Sequence, residues 1–405
     1  MHSLRQLQTS YRFLRVTQKL KMSTSALQDE YGKLDCTGDT YIATNFKLES
    51  GVVLKEAHAR YNTFGSLNSD RNNLIVVCHA LTGNSKLDQW WGQLLGPGKA
   101  FDTSKYMVVC ANILGSCYGS SGPMSINPTT GKIYGFDFPQ VTIRDTVRLH
   151  MEMVTQQIGA KQVACVIGGS MGGMQALEWT LLGAPLVQSA VIIGCGARHS
   201  AWQIAISSTQ RQAIFNDPKW NAGHVDPRDP PAAGLSLARQ IAMISYRTAD
   251  SFDSKFGRDK VVKKDVPATE VTHSSACSSG PNNSKGGDAS SDEDDEWQVQ
   301  SYLDYQGRKF LDRFDAVSYV KITEQMDTHD VGRDRGGVVA ALQAIHSRVL
   351  VLGIDSDILY PLSEQRQLAE NIPQGILKVV HSVNGHDGFL LETNQVSEHI
   401  KAFLQ

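Results

Sequence analysis

Short apolar runs, rich in valine and isoleucine, recur along the chain between more polar stretches. Continuous runs of this kind are typical of strands that are buried on both faces, as in a parallel sheet. Six runs share this pattern: LIVVCHAL (74–81), YMVVCANI (106–113), QVACVIGG (162–169), SAVIIGCG (189–196), RVLVLGI (348–354) and ILKVVHSV (376–383). Helix-like stretches such as TIRDTVRLHMEMVTQQIG (142–159) separate several of them. This alternation predicts an α/β fold with a mostly parallel central sheet flanked by helices.

The pattern changes over residues 197–336, where helical periodicity, as in LSLARQIAMISYR (235–247), replaces the strand runs. We interpret this region as a helical lid inserted into an α/β core that comprises residues 40–196 and 337–405. Within the lid, the segment THSSACSSGPNNSKGGDASSDEDDE (272–296) contains no large apolar side chain. Such a segment buries too little surface to offset its ordering entropy, so the sequence predicts a disordered loop at about 265–297.

A basic N-terminal tail is predicted over residues 1–39. Its first 28 residues contain no acidic side chain and carry five lysines and arginines, and apolar residues recur there at helical spacing. A mitochondrial targeting helix has these properties, and so does a basic tail that precedes an alternative start at Met22. Both interpretations stay open.

Composition excludes several classes of protein. The 405 residues are 41% hydrophobic and 20% charged, as in a soluble globular protein with a large core. The net charge of −2 does not favour nucleic acid or an anionic membrane as a partner, and no apolar run approaches the roughly 20 residues of a membrane span. The seven cysteines are scattered, without a CxxC pair. They indicate reduced thiols in an intracellular protein, and we expect a cytoplasmic one. No Cys/His cluster has metal-ligand spacing.

The segment CVIGGSMGGMQALEW (165–179) carries the first candidate chemistry. It places Ser170 among four glycines, directly after a predicted strand and before a predicted helix. The pattern G-x-S-x-G in this context is typical of a nucleophile elbow, a strained turn that exposes the serine hydroxyl. Flanking glycines let the strand and the helix approach each other without Cβ clashes. Ser170 is therefore the candidate nucleophile.

An elbow serine needs a base and an orienting acid, which follow it in the order Asp or Glu, then His. His386 lies in a loop between glycine and aspartate, where it has little packing purpose, and is the candidate base. His381 lies within a predicted strand and is interpreted as structural. Asp355 and Asp357 both follow the preceding strand run. We favour Asp357, because it lies further beyond the strand, where a loop can direct it at the imidazole.

The oxyanion of an acyl-transfer reaction needs backbone N–H donors near the serine. The amide of Met171, directly after the nucleophile, is one candidate. The loop HALTGN (79–84), which follows an early strand, is the expected source of the second, through Leu81. His79, at the start of that loop, is interpreted as a buried structural histidine.

Taken together, six motifs resemble the homoserine O-acetyltransferase family of α/β-hydrolase-fold enzymes. They are HALTGNS (79–85), WWGQLLGPGKAFDT (90–103), NILGSCYGSSGPMSINP (112–128), GGSMGGMQALEW (168–179), DSDILYPL (355–362) and GHDGFL (385–390). The resemblance covers residues 40–250 and 337–400, and the polar insertion is similar to that of the fungal members. It implies an α/β-hydrolase fold, acetyl-CoA as acetyl donor, an acetyl-Ser170 intermediate, no permanently bound cofactor, and a homodimer assembled through lid helices.

The resemblance also implies an acceptor site for the zwitterionic amino acid. Arg239 matches the arginine that binds the carboxylate, and Tyr246, two helical turns later, matches a supporting tyrosine on the same face. Asp387, next to the candidate base, is expected to bind the ammonium group. The family commonly has His-Ile-Thr-Tyr where this chain has Met-Ile-Ser-Tyr at 243–246.

Three alternatives stay open. L-serine differs from L-homoserine by one methylene, which is worth only ~1–3 kcal/mol in a pocket, and serine O-acetyltransferases of this fold share most of the motifs. The acyl donor could be succinyl-CoA. A plain esterase or thioesterase is a further alternative, against which the predicted lid argues, because a transferase has to keep water from its acyl-enzyme.

Overall fold

The structure, a computed structural model, describes residues 37–261 and 296–405. Nearly all of the predicted N-terminal tail and of the predicted disordered loop at 265–297 therefore lies outside the described residues. Within the described ranges, none of the helices has the length and apolar character needed to cross a membrane.

An eight-stranded sheet forms the centre of the molecule, in the order β1-β2-β4-β3-β5-β6-β7-β8. Its strands are β1 (Asp39–Lys47), β2 (Val53–Phe64), β3 (Leu74–Cys78), β4 (Met107–Ala111), β5 (Val163–Gly169), β6 (Ser189–Ile193), β7 (Arg348–Ile354) and β8 (Gly375–Val380). The pairs β1–β2 and β2–β4 are antiparallel and all other neighbours are parallel. The mostly parallel sheet predicted from the six apolar runs is confirmed, with β3 to β8 as those runs.

The two strands at one edge of the sheet, β1 and β2, have no counterpart among the predicted runs. In β1 the exposed Ile42, Thr44 and Asn45 separate the buried Tyr41, Ala43 and Phe46. An edge hairpin of this kind packs one face on the core and leaves the other in water, so it never builds a continuous apolar run. A search for continuous runs therefore misses both strands.

Helices cover both faces of the sheet. They are α1 (Leu87–Trp90), α2 (Ile143–Glu152), α3 (Met171–Leu182), α4 (Ala201–Phe215), α5 (Ala232–Ser245), α6 (Ala249–Phe256), α7 (Gln298–Leu311), α8 (Ala316–Asp327), α9 (Val338–Gln343), α10 (Leu362–Asn371), α11 (Gly388–Leu391) and α12 (Thr393–Leu404). Helix α2 shows how the sequence sets such a boundary. The Thr142 hydroxyl accepts the Asp145 N–H at 3.1 Å and the Asp145 carboxylate accepts the Thr142 N–H at 3.0 Å, which forms a capping box.

The described residues between β6 and β7 contain helices α4 to α9 and no strand. We call residues 197–336 the helical region. Its far end is tied to the core by Glu178 of α3, which is almost fully buried. The carboxylate of Glu178 lies 3.1 Å from Nε of Arg144 on α2 and 2.6 Å from Nη2 of Arg335. Removal of one partner from such a buried pair typically costs about 3–5 kcal/mol, because the other charge is left buried and unpaired. These contacts join the end of the helical region to α2 and α3.

Candidate active site

Ser170 lies in the turn between β5 and α3, with φ 57° and ψ −125°. This left-handed backbone is strained for a residue with a side chain and is typical of functional turns. The turn requires its glycines: a Cβ on Gly168 would lie 2.1 Å from the Gly172 carbonyl oxygen, and a Cβ on Gly172 would lie 2.1 Å from the Cys78 carbonyl oxygen. The backbone therefore has the conformation of a nucleophile elbow.

The structure brings His386 and Asp357 into direct contact. Nδ1 of His386 lies 2.7 Å from Oδ2 of Asp357, and both side chains are buried. The second carboxylate oxygen, Oδ1, accepts the backbone N–H groups of Leu359 and Tyr360, each at 2.8 Å. Because carboxylate Oδ2 can only accept, Nδ1 carries the proton of a neutral imidazole, which leaves Nε2 as a base.

Nε2 of His386 is buried and has no hydrogen-bond partner within the described part of the chain. His386 and Ser170 line the same cavity, whose volume is about 330 Å³. Aromatic rings surround the imidazole, with Phe389 at 5.4 Å edge-on, Tyr360 at 5.1 Å and Tyr246 at 5.8 Å between ring centroids. The imidazole is thus held on three sides while its basic nitrogen stays available.

Asp355, the alternative acid, contacts a different histidine. Its carboxylate accepts from Nδ1 of His381 at 2.8 Å and from the Ser382 N–H at 3.0 Å. His381 lies one residue beyond β8, rather than within the strand as predicted, and its side chain is 77% exposed. This pair stabilises the chain after β8 and does not line the cavity.

The two amides expected to bind an oxyanion belong to the loop after β3 and to the first residue of α3. Leu81 is in a turn closed by a 2.9 Å hydrogen bond from the Gly83 N–H to the Ala80 carbonyl, and it lines the cavity. Met171 is the first residue of α3, where an N–H has no acceptor within its own helix. His79 is buried, and burial lowers its pKa to about 4, so its ring is neutral and donates from Nδ1 to the Ala80 carbonyl at 2.8 Å.

The helical region contributes Arg239 and Tyr246 to the cavity. The guanidinium of Arg239 lies 5.2 Å above the ring of Phe310, and no carboxylate of the described residues is within ion-pair distance of it. Tyr246 directly follows α5, and its carbonyl accepts the Asp387 N–H at 3.2 Å. The end of α5 is thereby fastened to the loop that carries the candidate base.

Asp387 lines the cavity and is paired with Arg247, a residue that the sequence reasoning missed. Nε of Arg247 lies 2.9 Å from Oδ2 of Asp387, and its Nη1 donates to Asn384 Oδ1 at 2.7 Å. Burial raises the pKa of Asp387, while the positive charges of Arg247 and Arg239 and the neighbouring His386 oppose that shift. The only signal for Arg247 in the sequence is its position next to Tyr246.

Arg313, between α7 and α8, lines the cavity and was also missed by the sequence reasoning. Its Nη1 donates to the Thr82 carbonyl at 2.8 Å and to the Tyr118 hydroxyl at 3.0 Å. Apolar surface from Trp90, Phe389 and Leu390 completes the wall. No local pattern marks Arg313, because it reaches the site only through the packing of the helical region.

A metal centre has no basis in the described residues, which contain no group of three histidine, cysteine, aspartate or glutamate side chains placed to hold an ion. The chemistry that this site supports is that of a serine nucleophile, an imidazole base, and a cavity with both a cationic and an anionic wall.

Comparison with known proteins assigns the fold and the relatives of this chain. The family described as "alpha/beta hydrolase fold" matches residues 73–393. A homoserine O-acetyltransferase of Salinibacter ruber is 45% identical over 368 residues, covering 90% of this chain and 96% of that one. The homoserine O-acetyltransferase FUB5 of Gibberella fujikuroi is 43% identical over 371 residues, covering 89% of this chain and 86% of that one. Bacterial and fungal relatives are thus similarly close, and they do not single out a fungal type.

Solved structures share the fold at lower sequence identity. A homoserine O-acetyltransferase from Bacillus anthracis superposes with a TM-score of 0.77 at 22% identity and covers 91% of this chain and 97% of that one. Esterase E22 superposes with the same TM-score and identity and covers 91% of this chain and 99% of that one. The fold therefore accommodates transferases and esterases alike, and function has to be inferred from the site.

Proposed function

Because the chain belongs to the alpha/beta hydrolase fold family and, within it, to the homoserine O-acetyltransferases, we propose that it transfers an acetyl group from acetyl-CoA to the side-chain hydroxyl of L-homoserine. Ser170 carries the acetyl group between the two substrates. The homoserine ester is an activated form of the amino acid, as methionine biosynthesis requires. One observation carries the proposal: the cavity that contains Ser170 and His386 also contains Arg239 and Asp387, opposite charges suited to a zwitterion.

In the first half-reaction, Nε2 of His386 accepts the proton of the Ser170 hydroxyl as Oγ attacks the thioester carbonyl. The N–H groups of Met171 and Leu81 donate to the oxyanion. When the tetrahedral intermediate collapses, the C–S bond breaks and the proton passes from Nε2 to the leaving thiolate. CoA departs as a thiol and acetyl-Ser170 remains. Asp357 keeps the proton on Nδ1 and stabilises the transient imidazolium.

In the second half-reaction, the homoserine hydroxyl takes the place of CoA. His386 accepts its proton while the alkoxide oxygen attacks the acetyl carbonyl, and the same two amides stabilise the oxyanion. Collapse breaks the bond between the acetyl carbon and Oγ of Ser170, and the proton returns from Nε2 to Oγ. The products are O-acetylhomoserine and free enzyme.

Three arginines near the cavity have different partners. Arg247 pairs with Asp387, and Arg313 donates to Thr82 and Tyr118. Arg239 has only the Phe310 ring and no carboxylate among the described residues. A guanidinium without an anion in a half-buried cavity supports Arg239 as the site for the amino-acid carboxylate. The carboxylate of Asp387, which pairs with Arg247, supports binding of the ammonium group.

The test is the acetyl-enzyme itself. Acetyl-CoA alone should add one acetyl group to Ser170, detected by mass spectrometry of the peptide, and L-homoserine should remove it. Ser170→Ala should show neither event. Faster removal by L-serine would assign the serine acetyltransferase activity, faster labelling by succinyl-CoA would change the donor, and rapid loss in water alone would assign a hydrolase.

We further propose that the protein is a homodimer formed through the helical region. We also propose that it is intracellular and a fungal-type member of the family. Leu237 and Ile244, seven residues apart on α5, expose 48% and 53% of their surface on one face, which supports a partner there. Buried thiols at all five described cysteine positions support a reducing compartment. Sedimentation of the wild type and of Ile244→Asp tests the dimer, which the substitution should dissociate.

A further inference from the structure

We propose that Arg313 is a positioning residue that fixes the turn Ala80–Gly83, from which Leu81 presents its amide to the oxyanion. The inference rests on the proposed function for the role of Leu81. It assigns to the helical region a part in transition-state stabilisation, beyond covering the cavity. The turn belongs to the sheet core, and Arg313 is 231 residues away from Thr82 in the chain.

The core holds one end of this turn. The Ala80 carbonyl accepts two hydrogen bonds, one from the Gly83 N–H at 2.9 Å and one from Nδ1 of His79 at 2.8 Å. Gly83 sits directly on His79, since a Cβ on this glycine would lie 2.9 Å from the His79 Cβ. His79 is itself held from α3, because Nε2 of Gln175 donates to its carbonyl at 3.2 Å.

Arg313 holds the other end. Its Nη1 donates to the Thr82 carbonyl at 2.8 Å, and the same nitrogen donates to the Tyr118 hydroxyl at 3.0 Å. The guanidinium lies 5.0 Å above the ring of Phe310, which is buried and stacks on Phe314 at 5.1 Å. A planar guanidinium that rests on a buried ring loses little further freedom when it donates, so it is a stiff support.

Leu81 is therefore held on both sides, through Ala80 by the core and through Thr82 by Arg313. Loss of one oxyanion donor typically costs about 10²–10³-fold in rate, and a displacement of about 1 Å costs on the order of 10²-fold. Without Arg313 the donor is displaced and not deleted. We expect both half-reactions to slow by about 10- to 100-fold, since the oxyanion forms on the same acetyl carbonyl in each.

The experiment compares Arg313→Met, Arg313→Lys and a control, Arg308→Met, in the full-length protein. Arg308 lies on α7, and its one ion pair within residues 37–261 and 296–405 is an exposed pairing with Asp304 at 3.5 Å. Three single-turnover rates are measured: acetylation of Ser170 by acetyl-CoA, acylation by p-nitrophenyl acetate, and deacetylation by L-homoserine. The p-nitrophenol burst counts active sites, so unfolded protein is excluded from each rate.

For Arg313→Met we expect all three rates to fall by a similar factor, with the KM values for both substrates within about twofold of the wild type. Arg313→Lys retains a hydrogen-bond donor, so its three rates should fall by a smaller factor. If Arg313→Met does not fold, Arg313→Lys provides the test. Arg308→Met should match the wild type. A further variant, Arg313→Ala, leaves room for a guanidinium ion, and added guanidinium should restore part of its rate.

Other outcomes overturn the assignment. A slower homoserine step alone, or a raised homoserine KM, would make Arg313 an acceptor-binding residue. A slower reaction with acetyl-CoA but unchanged acylation by p-nitrophenyl acetate would make it a donor-binding residue. Unchanged rates would leave it no role in catalysis. The p-nitrophenyl acetate arm uses neither natural substrate, so it tests Arg313 even if the proposed transferase activity fails.

Discussion

Replacement of Asp357 by asparagine separates the orienting role of this residue from its packing. Oδ1 of Asp357 accepts two backbone N–H groups, from Leu359 and Tyr360, and Oδ2 contacts Nδ1 of His386. An asparagine has one oxygen, and the two N–H donors require that oxygen at the Oδ1 position. Its NH₂ group is thereby directed at His386. Since NH₂ only donates, Nδ1 has to accept, and the ring proton moves to Nε2.

The size of the effect follows from this tautomer. With a proton on Nε2, His386 has no lone pair for the Ser170 hydroxyl and no longer acts as the base. The same aspartate-to-asparagine change in the triad of a serine protease lowers kcat by about 10⁴-fold, which corresponds to about 5 kcal/mol of transition-state stabilisation. The oxygen that binds the two N–H groups is retained, so thermal unfolding should change little.

The assay is single-turnover acetylation of Ser170 by acetyl-CoA, followed by mass spectrometry. The matched control is Asp355→Asn, which alters the exposed contact with His381 and should keep the wild-type rate. A rate for Asp357→Asn within tenfold of the wild type would refute the assigned hydrogen-bond network. An equal loss in both variants would show that the choice between the two aspartates is wrong.

Other predictions address the acceptor site, the elbow and acid stability. Arg239→Met should raise the KM for L-homoserine by about 10- to 100-fold, which corresponds to the loss of a charge-assisted hydrogen bond. Acetylation of Ser170 by acetyl-CoA should not slow. An unchanged KM would show that Arg239 does not bind the carboxylate. Gly172→Ala should destabilise the protein by more than about 3 kcal/mol in urea unfolding, because its Cβ would lie 2.1 Å from the Cys78 carbonyl, and wild-type stability would contradict the packing described. Three histidines share complete burial and a pKa lowered to about 4 by desolvation: His79, His150 and His329. Because these histidines bind protons near pH 6.5 in the unfolded chain, the free energy of unfolding should fall as the pH decreases from about 6.5 towards 4. The expected loss at pH 5 is ~2 kcal/mol per histidine. Equal unfolding free energies at pH 7.5 and pH 5 would refute this.

Local sequence patterns predicted a large part of the fold. Strands β3 to β7 are almost entirely buried, so each of them appears in the sequence as a continuous apolar run. The edge strand β8 exposes Ile376 and Lys378, and that lysine interrupts its apolar run. Strand β1 buries only alternate residues, and its hairpin with β2 was missed because half of its side chains are exposed. The nucleophile elbow could also be predicted from local sequence, since the glycines that permit φ 57° at Ser170 lie within three residues of it.

The candidate triad could be assembled from chain order, because parallel strands bring their carboxyl ends to one edge of the sheet. The preference for Asp357 over Asp355 came from distance beyond the strand, and in the structure Asp357 contacts His386 while Asp355 contacts His381. Arg239, Tyr246 and Asp387 came from resemblance to a family, and all three line the cavity with Ser170.

The sequence by itself determined the six parallel strands of the central sheet, the strained turn at Ser170 and the two candidates that complete its triad, because each depends on residues close together in the chain, on chain order or on the periodicity of burial. Tertiary structure alone decided that Arg247 pairs with Asp387 and that Arg313 reaches the Thr82 carbonyl. Those contacts join segments up to 231 residues apart, and their geometry exists only once the helical region has packed against the sheet. No periodicity encodes a contact of that kind, since its energy depends on distances that only the folded chain sets.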